Sequence, residues 1–157
     1  MRLLLHICCA PCSVMCIETL RNEGIEPTGF WYNPNIHPVT EYKARKNALV
    51  DYAKQIHLRL IVENDYGLRT FVSHVCHDID HRCGYCYLCR LEEAARYAAE
   101  NGYEAFSTTL LVSPYQDHEM LIRTGQAMAA KYGVAFLYRD FRPYFKEGQE
   151  KARQAGL

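Results

Sequence analysis

The sequence predicts an α/β fold with a mainly parallel sheet and helices on both faces. Three observations lead there. Short apolar runs of strand length alternate with longer segments of helical spacing along all 157 residues. Gly, Pro or Asn-rich punctuation separates them. The composition, 49% hydrophobic and 23% charged, suits a globular domain with one sizeable core rather than a fibre, a disordered tail or a repeat array.

The elements follow in order. Residues 2–7, RLLLHI, form a first strand that Ala10 and Pro11 stop. Ser13 is placed to cap a helix that runs to Glu23 and ends at Gly24. PTGFWY (27–32) reads as a second strand, followed by the loop NPNIHP (33–38). Thr40 caps a helix to about residue 56, with Glu41 in the first turn, where the helix dipole favours negative charge. LRLIVE (58–63) is a third strand, and the less regular stretch 64–82 contains a candidate short helix. Cys83 to Cys89 leads into a helix to about residue 100, with Leu88, Leu91, Ala95 and Ala98 at apolar spacing. EAFSTTLL (104–111) is a fourth strand. Ser113-Pro114 starts a helix that ends at Gly133, since proline is tolerated in a first turn. VAFLY (134–138) is a fifth strand, and a last helix begins near residue 144 in a polar tail. The whole of 1–157 reads as one α/β domain with a cysteine-rich, metal-binding insertion around 74–90. Sheets of this kind hold their sites beyond the carboxyl ends of the strands, where CCAPC, NPNIHP and VSPYQD fall.

Cysteine is the compositional anomaly. The eight cysteines form two groups: Cys8, Cys9, Cys12 and Cys16, then Cys76, Cys83, Cys86 and Cys89. The apolar run Leu3 to Leu5 is too short for a secretory core, so a cytoplasmic, thiol-reducing setting is expected. Clustered cysteines there read as metal ligands or redox thiols before disulfides. No run approaches the roughly 20 apolar residues of a membrane span. C-C-x2-C and C-x2-C-x2-C bring thiolates together, and the second spacing matches part of the bacterial ferredoxin run. Zinc competes, although the two groups lie about 70 residues apart, far beyond the usual knuckle gap. Thiol redox chemistry is the third reading. Cys16 reads as a core residue, while Cys76 and Cys89 read as packing residues first and ligands second. Neither a Gly-rich dinucleotide loop nor a Walker lysine loop is present. Net charge is zero, which excludes a strongly basic nucleic-acid coat but leaves local patches.

Five segments occur in an order that carries a resemblance: LLLHICCAPCS (3–13), FWYNPNIHPVTEYKAR (30–45), RCGYCYLCRLEEAA (82–95), STTLLVSPYQDHEMLI (107–122) and YGVAFLYRDFR (132–142). The chain resembles the cobalamin-independent epoxyqueuosine reductases, the QueH family. The resemblance implies a single-domain, three-layer Rossmann-like fold, similar to the adenine nucleotide alpha hydrolase-like group. It implies reductive removal of the epoxide oxygen of epoxyqueuosine at the tRNA wobble position, giving queuosine. It also implies a [4Fe-4S] cluster beside a mononuclear iron. By motif, Cys8, Cys9, Cys83 and Cys86 are the expected ligands, and Cys12 is the candidate for the second iron. The family continues past the DFR motif to a segment ending in a YCGC-like sequence, which residues 1–157 do not reach. Cys89 stands outside the family motif.

Removing an epoxide oxygen as water requires two electrons and two protons. With no flavin or nicotinamide motif visible, an external electron donor is expected. An iron near Cys12 is suited to act as a Lewis acid on the oxygen. His37, Tyr115 and Asp117 are the candidate proton donors, whereas His6 reads as a core histidine. Asn33, Asn35 and Ser113 are candidate contacts to the modified base. Lys43, Arg45, Lys46, Lys54 and Arg59, then Arg139, Arg142, Lys146, Lys151 and Arg153, form local basic patches that suit phosphates. The competing reading is a zinc-stabilised cytoplasmic binding module without redox activity.

Overall fold

A computed structural model describes residues 1–34, 36, 38–63 and 82–157, with the side chains of the last stretch described from residue 86. The possible short helix in 64–82, Cys76, Asn35, His37 and the Cys83 side chain lie outside the described residues.

Among the described residues, five strands form one parallel sheet: β1 (Leu3–His6), β2 (Pro27–Trp31), β3 (Leu60–Val62), β4 (Ala105–Thr108) and β5 (Ala135–Phe136). Their order is β3-β2-β1-β4-β5. Central β1 is buried along its whole length, and its register sets His6 beside Phe30 on one side and Thr108 on the other. The α-helices among the described residues are α1 (Ala10–Asn22), α2 (Val39–Gln55), α3 (Arg82–Glu100), α4 (His118–Tyr132) and α5 (Phe145–Gln154). Right-handed crossovers place α1 and α2 on one face and α3 and α4 on the other. Packing agrees: α5 lies against α1, and α3 lies against α4 and against β1 and β4. The connection order reverses between β1 and β4, so a ligand crevice opens at their carboxyl ends.

The predicted α/β architecture is the observed one, and Gly24 and Gly133 follow their helices with left-handed φ of 80° and 71°. Several boundaries differ for local reasons. α1 begins at Ala10 rather than after Ser13, because Cys9 is the extended residue before it and Pro11 sits in the first turn. Ser13 turns its hydroxyl to Ala10 O at 2.7 Å instead of capping. α2 starts at Val39, one residue before the predicted Thr40 cap. β4 stops at Thr108, and Thr109–Val112 winds into a 3-10 turn, which Thr108 caps by accepting from Leu110 N. Ser113-Pro114 does not open α4. Asp117 does, accepting from Met120 N at 3.1 Å. On α3 the buried stripe is Tyr87, Leu91, Ala94 and Ala98, with Ala95 beside it, whereas the predicted core residue Leu88 is 40% exposed. Tyr87 takes the inward place because its hydroxyl has polar partners below: it donates to Gln116 Oε1 and accepts from Asp117 N.

Candidate metal centre

The crevice is built from the residues that end β1 and β4. His6 closes β1 without exposure to solvent. Its Nε2 faces Asn33 Oδ1 at 3.1 Å and Tyr32 O at 3.3 Å, both acceptors, so Nε2 carries the proton. Nδ1 then accepts from the Thr108 hydroxyl at 2.9 Å. Burial first, and then the nearby Arg90 guanidinium, lower the His6 pKa from 6.5 to about 4. Asn33 is equally buried and donates its amide to Ile7 O at 3.0 Å. It pins the end of β2 to the end of β1.

Two residues past His6 the chain turns into α1 and places three cysteines on that turn. The thiol sulfurs of Cys8, Cys9 and Cys12 all lie within 4.8 Å of one another. Cys9 immediately precedes the helix and Cys12 is in its first turn, so the positive end of the helix dipole favours thiolate there. Thr109, just after β4, accepts from Cys8 N at 3.1 Å and places its hydroxyl 3.2 Å from Cys8 Sγ. Hydrogen bonds from Cys12 and Cys9, with Thr109, hold the Cys8 pKa well below the usual thiol value. The same bonding pushes Cys12 up. Cys9, although its bond with Cys12 pulls the other way, is pushed up to about 12 by Cys8 and burial. The three thiols on the turn thus influence one another's ionisation, with Cys8 the one most readily deprotonated. Such a soft, convergent donor set fits an iron-sulfur or zinc centre. Cys16 lies in the core as expected, its thiol directed at Cys12 O.

α3 carries Cys86 and Cys89, and Cys89 reaches the end of β2. Cys86 and Cys89 are half-buried, and the Cys89 sulfur lies 3.7 Å from the Tyr32 hydroxyl. Arg90, only 7% exposed, donates from Nε to Cys86 O at 3.1 Å. Burial lowers its pKa, while electrostatic interaction with Cys8, Cys86, Tyr87 and Cys89 raises it. The sequence reading missed Arg90 and Thr109. The signals available were an arginine one turn after Cys86 and a threonine pair closing an apolar strand.

The other predicted residues gather on the loop before α4. Tyr115 is 84% exposed and meets Phe145 edge-on at 5.7 Å. Ser113 Oγ accepts from Tyr115 N at 3.2 Å, and the Asp117 side chain is occupied as the α4 cap. Beside the cysteines, a cavity of about 460 Å³ opens between Cys9, Cys12, Ala44, Arg45, Gln149 and Leu157. Arg45, on its rim, is paired with Glu41 at 2.6 Å. The tail arginines are also paired: Arg139 with Glu23, Arg142 with Asp140, and Arg153 with Glu150. Among the described residues, no helix is long and apolar enough to cross a membrane.

Comparison with known proteins matches this frame. A predicted subunit of tRNA methyltransferase from Methanocaldococcus jannaschii shares the fold, with a TM-score of 0.59 and 14% identity over 97% of this chain and 76% of that one. An epoxyqueuosine reductase QueH from Dehalococcoides mccartyi is 36% identical over 156 residues, covering 99% of this chain and 86% of the relative. One from Histophilus somni is 37% identical over 136 residues, covering 83% of this chain, which spans only 56% of that relative's length. The family model described as Epoxyqueuosine reductase QueH matches residues 3–157. With that match spanning nearly its whole length, the chain belongs to the epoxyqueuosine reductase QueH family, oxidoreductases of queuosine biosynthesis.

Proposed function

We propose that this chain reduces epoxyqueuosine in tRNA to queuosine at the edge formed by Cys8, Cys9 and Cys12. The three convergent sulfurs at the carboxyl end of β1, in a chain of this family, carry the reading. Cys8, Cys9, Cys83 and Cys86 are the ligands we assign to a [4Fe-4S] cluster, and Cys12 is the residue we assign to a mononuclear iron. When bound, these groups supply electrons one at a time and a Lewis acid for the epoxide oxygen. The overall balance is epoxide plus two electrons and two protons to alkene plus water, with the electrons coming from an external donor.

The protein's own residues do the rest. Thr109 and the helix dipole of α1 hold negative charge on the sulfurs. The cavity beside Cys9 and Cys12 receives the modified base, and Ala44 and Leu157 in its wall help exclude water. His37, Tyr115 and Asp117 are the proposed proton donors, of which Tyr115 presents the most exposed hydroxyl. Asn35 and Ser113 are proposed contacts to the base. Asn33 acts one layer back, through His6 and Ile7. Exposed Lys43, Lys54 and Arg59 on and after α2 meet tRNA phosphates. We read 1–157 as one α/β domain with its cysteine-rich insertion around 74–90, working in the cytoplasm where modified tRNA is found.

The test is anaerobic conversion. The reconstituted chain, given tRNA containing epoxyqueuosine and a chemical reductant, should yield nucleosides in which epoxyqueuosine is replaced by queuosine. No conversion by a chain that holds iron and sulfide overturns the reading.

A further inference from the structure

We propose that Arg90 is the buried counter-charge of the thiolate-bound centre and raises its reduction potential. A guanidinium is seldom buried without an anion, because desolvating an unpaired charge is costly. Arg90 has only 7% exposure, yet no carboxylate among the described residues pairs with it. Surface arginines such as Arg21 and Arg139 hold Glu26 and Glu23 instead. The contacts of Arg90 are weak for a full charge: Nε to Cys86 O at 3.1 Å, and the guanidinium carbon 6.0 Å from the Tyr87 ring centre. Cys86 and Cys89 flank it on its own helix, and Cys8 lies within electrostatic reach.

Position explains why. Arg90 lies one turn after Cys86 and next to Cys89, on a helix packed across β1 and β4. That packing turns it toward the end of β1, where its charge acts on His6 and Cys8. Arg90 is therefore a buried cation within electrostatic reach of Cys8, Cys86 and Cys89, in a low-dielectric layer where its charge is little screened.

The consequence rests on the iron-sulfur reading above. Four thiolates around an oxidised [4Fe-4S] core carry a net charge of about −2, and one added electron makes it about −3. A fixed positive charge stabilises the more negative form more strongly. The electron comes from a reductant of the dithionite class, which is oxidised as the cluster gains it. Arg90 itself exchanges neither electron nor proton.

Redox titration of the anaerobically reconstituted full chain, followed by visible absorption with mediator dyes, tests this in wild type, Arg90→Gln and Arg90→Lys. At any fixed potential Arg90→Gln should show a reduced-to-oxidised ratio at least about tenfold below wild type, which is 59 mV for a one-electron couple. Arg90→Lys, which keeps the charge, should stay close to wild type. A wild-type potential in Arg90→Gln overturns the proposal, as does an equal shift in both variants. If Arg90→Gln takes up no cluster, uptake by Arg90→Lys supports the charge requirement, and failure of both overturns it. A wild-type chain that binds no iron and sulfide defeats the iron-sulfur reading instead, before any variant is compared.

Discussion

Thr109 places one hydroxyl on both the backbone N–H and the sulfur of Cys8, so it orients a proposed ligand without being one. Residues in that role typically govern metal affinity by a factor of 10–100. Thr109→Val keeps the shape and removes the hydroxyl. It should weaken metal binding roughly tenfold in chelator competition, and an unchanged affinity would remove Thr109 from the site. His6 gives a second expectation at this scale. Its native pKa of about 4 lies below the ordinary 6.5, so between these values the unfolded chain binds a proton that the native chain refuses. The stability it confers is fully present above pH 6.5 and is lost as pH falls to about 4, amounting to about 3 kcal/mol. Urea unfolding of the metal-free chain across that window measures it, and His6→Asn should flatten this part of the profile. The convergence of Cys8, Cys9 and Cys12 was legible in the sequence because their type and spacing announce thiolate chemistry in any fold. Arg90 was not, since an arginine on a helix rich in charged residues looks solvated until the topology shows which face is buried.

At the scale of elements, the alternation of strands and helices was legible because each strand is a short apolar run and each turn carries its own punctuation. Helix starts were harder. Ser13, Thr40 and Ser113 are all acceptable caps by residue type, yet Cys9, Pro38 and Asp117 precede the helices. Competing local hydrogen bonds decide such cases, as when Ser13 bonds back to Ala10 O and Ser113 bonds forward to Tyr115 N. The twist of α3 that exposes Leu88 and buries Tyr87 likewise depends on Gln116 and Asp117, about 30 residues away. One packing contact is sharp enough to predict from. Gly125 lets α4 approach β5, and a methyl there would meet the Phe136 ring at 2.6 Å. Gly125→Ala should therefore destabilise the chain by about 1–3 kcal/mol despite the better helix propensity of alanine. A denaturation midpoint equal to or above wild type would show that the contact relaxes freely.

The whole molecule combines a neutral net charge with a cysteine edge at the point where the sheet order reverses. The tail's basic residues, expected to form a patch, are largely tied to carboxylates such as Glu18, Glu23 and Asp140. With those side chains engaged in the structure, the proposed reading assigns phosphate binding mainly to exposed Lys43, Lys54 and Arg59. Affinity for tRNA should fall as salt rises, with a shallow slope set by few contacts, and a flat response would exclude direct phosphate binding. The sheet edge was legible as the place for a site. The buried Arg90 beside Cys86 and Cys89 was not, because only the packing of α3 on β1 and β4 turns that face of the helix inward. Iron and acid-labile sulfide analysis of the chain purified and reconstituted without oxygen tests the metal assignment most directly. Four to five irons and four sulfides per chain, roughly, are expected for a cluster with an adjacent iron. Zinc in their place, with no sulfide, would contradict it and make the cysteine edge a structural site.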